Sequence, residues 1–340
     1  MKMRIILGIL LCFLIATPSW LIGKRFPIVG AAIISILLGI IISSVFPKLI
    51  SNKILPFADG IKFTSKKLLQ LSIILLGFEL NFFNVIKVGG SSLLIMIFTL
   101  LTAFLSAYIF GKLLKLPSDT TTLIGVGTAI CGGSAIAATA PVIQAKDEDV
   151  ARAISTIFLF NIIAVFIFPM LGHLLGMNDT AFGLWAGTAI NDTSSVVAAS
   201  SSWSIAAGSN SALQTATIVK LTRTLMIVPV TLFLAFYTSR RQKNTTGASY
   251  SFVKIFPWFV LIFVLAAVIN TVFALPTELS GTLATIGKFV IVAAMAAIGL
   301  NTNIKSLFAK GVKPLILGFV CWVALAAVSL IIIELILGNR

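Results

Sequence analysis

The chain has 340 residues, 59% of them hydrophobic and only 10% charged, with a mean hydropathy of +1.11. These values exclude an ordinary soluble domain. No hydrophilic stretch is long enough for a separate one, so residues 1–340 read as a single integrated membrane domain. A net charge of +15 would suggest nucleic acid in a soluble protein; here most Lys and Arg fall between apolar segments, where positive-inside topology and anionic lipid account for them, and no nucleic-acid motif is present.

The N-terminal run MKMRIILGILLCFLIATPSW has the charge and apolar stretch of a signal peptide but no clean small-x-small cleavage site, and reads as a retained first helix, Met3–Ile22. Further apolar runs follow at Phe26–Phe46, Lys66–Phe83, Gly90–Leu114, Asp119–Ala145, Ala151–Leu175, Thr180–Trp203, Ser211–Thr238, Ile255–Ala274, Gly281–Leu300 and Lys313–Leu337. At about 20 residues per crossing, this predicts an all-α polytopic membrane protein of about 11 membrane segments. Between the second and third segments, Pro47–Ser65 sets Lys48, Lys53 and Lys62 among Ile, Leu and Phe, the pattern of an interfacial amphipathic helix.

With the N-terminus in the cytoplasm and every segment crossing, most of the 25 Lys and Arg lie on the inner side. If Asp119–Ala145 and Thr180–Trp203 are re-entrant hairpins instead, Lys146 and Arg152 move inside as well. Spanning and re-entrant geometries both remain open.

Two stretches stand apart from this apolar background. Gly125–Gln144 reads GVGTAICGGSAIAATAPVIQ, and Gly187–Ser202 reads GTAINDTSSVVAASSS. Both contain Gly-Thr-Ala-Ile, and both continue with small polar residues where a membrane helix usually carries Leu or Ile. Such sequence loosens a helix, and the freed backbone groups must find partners in protein, ions or water. Interrupted helices of this kind line the sites of secondary transporters, although Gly, Ala and Ser also serve plain close packing. A second echo relates Gly77-Phe-Glu-Leu-Asn81 to Gly299-Leu-Asn-Thr-Asn303, in segments of opposite direction, which suggests an inverted repeat. The two echoes have different spacings, which a simple tandem repeat does not explain.

The candidate residues follow from these stretches. Thr128, Cys131, Gly132, Gly133, Ser134, Asn191, Thr193 and Ser194 offer hydroxyl and backbone N–H donors at expected helix starts. Lys220 and Arg223, three apart on one helix face and about ten residues into their span, offer fixed positive charge for an anion; the competing reading is that one of them neutralises Asp192. Asp192 and Glu79 are carboxylates inside apolar segments and candidate coupling groups, with Asn81 and Asn303 as polar members of the second echo. Cys12, Cys131 and Cys321 form no disulfide framework, and His173, the lone His, reads as an interfacial or packing residue. There is no Walker loop, nucleophile–base pair or metalloprotease motif, so neither an enzyme, a cofactor nor a metal is expected.

On GTAICGGSAIAATAPVI, on the Gly-Thr-Ala-Ile to Asp-Thr-Ser to Val-Val-Ala-Ala segment, and on Val219-Lys220-Leu221-Thr222-Arg223, the chain resembles the YeiH-type bacterial membrane proteins, a family described as sulfate exporters. The family is similar to the wider cation/proton antiporter and anion transporter group, whose Gly-Leu-Glu signature Gly77-Phe-Glu-Leu-Asn81 resembles. The resemblance implies two inverted bundles, a pair of interrupted crossing helices and elevator-like motion. It implies a small inorganic or organic anion, sulfate- or sulfonate-like, as substrate. The chain departs from the family pattern at Asn191 and Ser195, where His-Asp-Thr-Ser-Gln is usual, which leaves Asp192 as the titrating group.

The expectation is a secondary transporter of the bacterial cytoplasmic membrane, exporting a small anion with H+ or Na+ as coupling ion and membrane lipid as its surroundings, with a homodimer as one assembly open to it. The alternatives are a cation/proton antiporter centred on Asp192 and a channel-like membrane protein.

Overall fold

Uninterrupted Leu, Ile and Val runs favour continuous helix once backbone polar groups must be satisfied within the segment. In the computed structural model, which describes residues 2–25, 31–46, 57–241, 257–302 and 311–337, every regular element among the described residues is helical. Among the described residues, six helical stretches are long and apolar enough to cross a membrane: Ile5–Arg25, Phe82–Leu113, Asp147–Leu174, Ser211–Thr238 (two helices joined end to end at Met226), Thr277–Asn301 and Val312–Ile336. Ala31–Val45 and Trp258–Phe273 are apolar but shorter.

The other expected segments are not single long helices, and the sequence shows why. Lys66–Phe83 belongs to a run that starts earlier: helix Phe57–Phe63 passes through a π-helical turn at Thr64–Leu68 into helix Leu69–Gly77. Residues 47–56 of the expected surface helix lie outside the described residues. Its remainder is not a free-standing surface helix, because Gly60 and Ile61 are buried against the first helix. The expected segments Asp119–Ala145 and Thr180–Trp203 are each broken at their polar stretch, into Ser118–Ala129 and Gly133–Thr139, and into Asp179–Ala189 and Thr193–Ala207.

In chain order the helices are α1 Lys2–Arg25, α2 Ala31–Val45, α3 Phe57–Phe63, α4 Leu69–Gly77, α5 Phe82–Leu113, α6 Ser118–Ala129, α7 Gly133–Thr139, α8 Asp147–Leu174, α9 Asp179–Ala189, α10 Thr193–Ala207, α11 Ser211–Leu225, α12 Ile227–Arg241, α13 Trp258–Phe273, α14 Thr277–Asn301 and α15 Val312–Leu337. They sort into two packed groups. In the first, α1, α2, α3, α4, α13 and α14 pack on one another, with the Ser35 hydroxyl of α2 donating to the Val292 carbonyl of α14 at 2.8 Å. In the second, α5 to α12 join the C-terminal α15.

The groups meet where α10 lies against α2 and α14 and where α5 lies against α13. A shared apolar core, including Ile36, Ile73, Val197, Leu221, Phe263 and Met295, fills that junction. One polar bridge also spans it: Asn210, in the α10–α11 turn, donates to Glu79 Oε1 at 2.7 Å and accepts from Lys288 Nζ of α14 at 2.7 Å.

Candidate functional site

The site begins with two helix ends. The last carbonyls of a helix have no partner within it, and in an apolar interior each must be paired from elsewhere. At the end of α6 these are Thr128, Ala129 and Ile130; at the end of α9 they include Thr188 and Ile190. All five accept hydrogen bonds from α11. Lys220 Nζ donates to the Ile130 carbonyl at 2.8 Å and to the Ile190 carbonyl at 3.0 Å. Arg223 donates through Nε to Ala129 at 2.6 Å, through Nη2 to Thr128 and through Nη1 to Thr188. Both side chains have no exposed surface. Each therefore bridges the ends of both interrupted helices, and cations at helix C-termini also oppose the partial negative charge that the aligned peptide dipoles leave there.

The sequence of α9 makes this reach possible. Gly183 and Gly187 lie one turn apart, and a Cβ on Gly187 would stand 2.8 Å from Val219 and 2.9 Å from the Ala216 carbonyl. With glycine there, α9 and α11 approach closely enough for Lys220 to reach Ile190.

Beyond the two ends the chain restarts differently. After α6 it turns at Gly132, whose φ of 68° and ψ of −129° suit glycine alone, with the Gly132 N–H bonded back to the Gly127 carbonyl at 2.9 Å. After α9 it runs extended through Ile190 to Asp192. There the carboxylate caps α10 by accepting from the Ser194 N–H at 3.0 Å and from the Ser194 hydroxyl. The Asp192 N–H in turn donates to Asn161 Oδ1 of α8 at 3.1 Å. Asn161 ties the two breaks together, because a Cβ on Gly132 would lie 3.4 Å from its Nδ2 and 3.3 Å from the Asp192 Cβ.

The breaks thus bring Thr128, Cys131, Gly132, Asn191, Asp192, Ser194, Lys220 and Arg223 into one region, with Gly133 and Thr193 half-buried as the first residues of α7 and α10. Ser134 is exposed, one residue into a helix only seven residues long. Asp192 is half-buried, and neither Lys220 nor Arg223 forms an ion pair with it among the described residues. The two cations are spent first on backbone, which neither the anion reading nor the Asp192-neutralisation reading anticipated.

Glu79 and Asn81 are not in this region. Glu79 belongs to the bridge to Asn210, and Asn81 caps α5 by accepting from the Phe83 N–H at 2.9 Å. Asn303 lies outside the described residues. His173, expected as an interfacial or packing residue, is exposed and stacks on Trp203 with ring centroids 4.1 Å apart.

Three participants escaped the sequence reading. Asn161 was available as a lone amide inside an otherwise apolar segment. Asn210 and Lys288 carried only their polarity as a signal.

Comparison with known proteins relates the chain to other membrane proteins. A family model described as Conserved hypothetical protein 698 matches residues 7–318. This chain belongs to the UPF0324 membrane protein family. A UPF0324 membrane protein of Fusobacterium nucleatum is 50% identical, with 95% of this chain and 96% of that protein covered. One from Streptococcus agalactiae is also 50% identical, over 98% and 97% of the two chains, and one from Streptococcus mutans is 46% identical, over 97% of each. No solved structure matches the chain.

Proposed function

We propose that this UPF0324 protein is a secondary active transporter that moves a small oxyanion of sulfate or sulfonate size outward across the bacterial cytoplasmic membrane, with its N-terminus in the cytoplasm. Proton binding at Asp192 couples to anion binding, and the group of α5–α12 with α15 moves against the other group, elevator-fashion. The reading takes about eleven membrane segments, counting as one each the four runs divided into two helices (α3–α4, α6–α7, α9–α10 and α11–α12), with α6–α7 and α9–α10 as the interrupted pair. One observation carries it: two fully buried cations at the junction of two broken helices, beside a half-buried carboxylate.

The charge balance favours an anion over a cation. Two full positive charges and the α10 N-terminus of about +0.5 face two helix C-termini of about −0.5 each and one carboxylate, so the region carries only about half a positive charge with Asp192 ionised. It gains about one positive charge when Asp192 is protonated. Anion binding therefore strengthens as pH falls, and Asp192→Asn flattens that dependence. Ionisable groups held inside a membrane protein are costly unless they serve a path or a partner, and interrupted helices at mid-depth are where transporters place their sites. A divalent anion carried with one proton still moves one net negative charge, which the inside-negative potential drives outward.

The test is a thermal-unfolding screen of the purified full chain against sulfate, alkanesulfonates, carboxylates and monovalent cations, since a ligand of the native state raises the midpoint. Oxyanions raise it under this reading, more at low pH. If Na+ or other monovalent cations alone raise it, and Asp192→Asn removes that response, a cation/proton antiporter takes the place of the anion exporter.

A further inference from the structure

Four of the eight buried side-chain polar atoms that lack a partner among the described residues belong to the broken-helix region: Thr128 Oγ1, Asn161 Nδ2, and both Asn191 Oδ1 and Nδ2. These side chains are 0%, 3% and 1% exposed. Buried amides and hydroxyls are almost always paired, so this concentration marks groups reserved for something that is itself polar. Asn161 Nδ2 faces the Gly132 turn and the Asp192 Cβ. Asn191 stands between Ile190, whose carbonyl holds Lys220, and Asp192, which caps α10.

The inventory of these groups defines the ligand. The Asn161 amide, the Thr128 hydroxyl and the Asn191 amide nitrogen are donors, suited to oxyanion oxygens. Asn191 Oδ1 is an acceptor, and an anion without an O–H leaves it unpaired. The neighbouring Asp192 carboxylate already accepts twice from Ser194 and, when ionised, would repel the ligand. A neutral acceptor beside fixed cations suits a proton that the anion itself carries. Either orientation of the Asn191 amide offers the same donor and acceptor, because neither end has a partner among the described residues.

We infer that the site selects an oxyanion bearing at least one O–H, with Asn191 as the residue that reads that hydroxyl. This rests on the anion reading above and narrows it. A site built to pair a ligand hydroxyl discriminates strongly against the isostere that lacks it, because the buried acceptor is then stranded.

Two matched pairs of probes test this on the full chain in detergent at mildly alkaline pH. Hydrogen phosphate and sulfate are both tetrahedral and divalent there; bicarbonate and nitrate are both planar and monovalent. Within each pair, charge and shape agree and one O–H differs. In whichever pair raises the unfolding midpoint, the O–H member binds tighter by about tenfold or more. Asn191→Leu, of similar volume, removes that margin, and Asn191→Ser serves the same purpose should the leucine variant not fold. Equal shifts within the pair that binds, a preference for sulfate or nitrate, or a margin that survives both variants overturns the selectivity while the anion reading stands. No shift with any of the four probes, either in the native chain or in Asp192→Asn, where the opposing carboxylate is gone, overturns the anion reading and the selectivity together.

Discussion

At the first interruption the chain turns through a single glycine and restarts as a seven-residue helix with no side-chain cap; at the second it runs extended and restarts as a fifteen-residue helix capped by Asp192. Upstream the two are alike, because Lys220 and Arg223 hold the carbonyl ends of both. The shared half solves a problem of unpaired backbone in an apolar interior. The halves that differ separate a glycine turn from a carboxylate cap. The first break is set by backbone conformation, and the second by a charged side chain.

Removing the shared part has the largest effect. Arg223→Leu strands the Thr128, Ala129 and Thr188 carbonyls and should cost about 3–5 kcal/mol, read as a fall in the unfolding midpoint in detergent. Both breaks should loosen together, seen as faster hydrogen exchange in α7 and α10 alike. Lys220→Met strands two carbonyls, one per break, and should cost about 2–3 kcal/mol. If either variant loosens only one break, the two are not held in common.

The next variants act on one break each. Gly132→Ala forces a non-glycine residue into a glycine-only backbone region and should cost about 1–3 kcal/mol. Its added methyl group would press on the Asp192 Cβ, so a change in the pH dependence of anion binding is expected too. Asp192→Ala removes the α10 cap at a cost of about 1 kcal/mol, whereas Asp192→Asn keeps the cap and should lie within a few tenths of the native chain. Asp192→Asn nevertheless flattens the pH profile, which divides the structural role of this carboxylate from its charge.

The smallest effect is expected away from both breaks. Asn210→Ala cuts the bridge from Glu79 to Lys288 between the two helix groups, and at this half-exposed site should cost about 1 kcal/mol or less. Its signature is easier relative movement of the groups, measurable as faster cross-linking between cysteines placed on α10 and α14, with both breaks undisturbed.

The sequence made the two polar stretches and the depth of Lys220 and Arg223 legible, since small polar residues and basic side chains are conspicuous among Leu and Ile. It did not reveal their partners, because a backbone carbonyl has no letter of its own: Ala129, Ile130 and Ile190 look like any apolar residue. The π-helical turn at Thr64–Leu68 was equally invisible, as it arises from how the segment packs between α1 and α14. The apolar surroundings of Glu79 suggest a coupling group, whereas its partner Asn210 comes from a turn far along the chain, and no local pattern joins them. Asn161 reads as one amide in a long hydrophobic run, although its side chain accepts from the Asp192 N–H and lies against the Gly132 turn.

The order in which the chain is made gives the two cations of α11 a further consequence. Synthesis proceeds from the N-terminus, so α6 and α9 emerge before Lys220 and Arg223. Carbonyls that would otherwise resist entry into lipid wait for the cations, and the cations, costly to insert alone, arrive where acceptors already stand. The ends of the two broken helices are therefore fully paired only once α11 has been made and has packed between them.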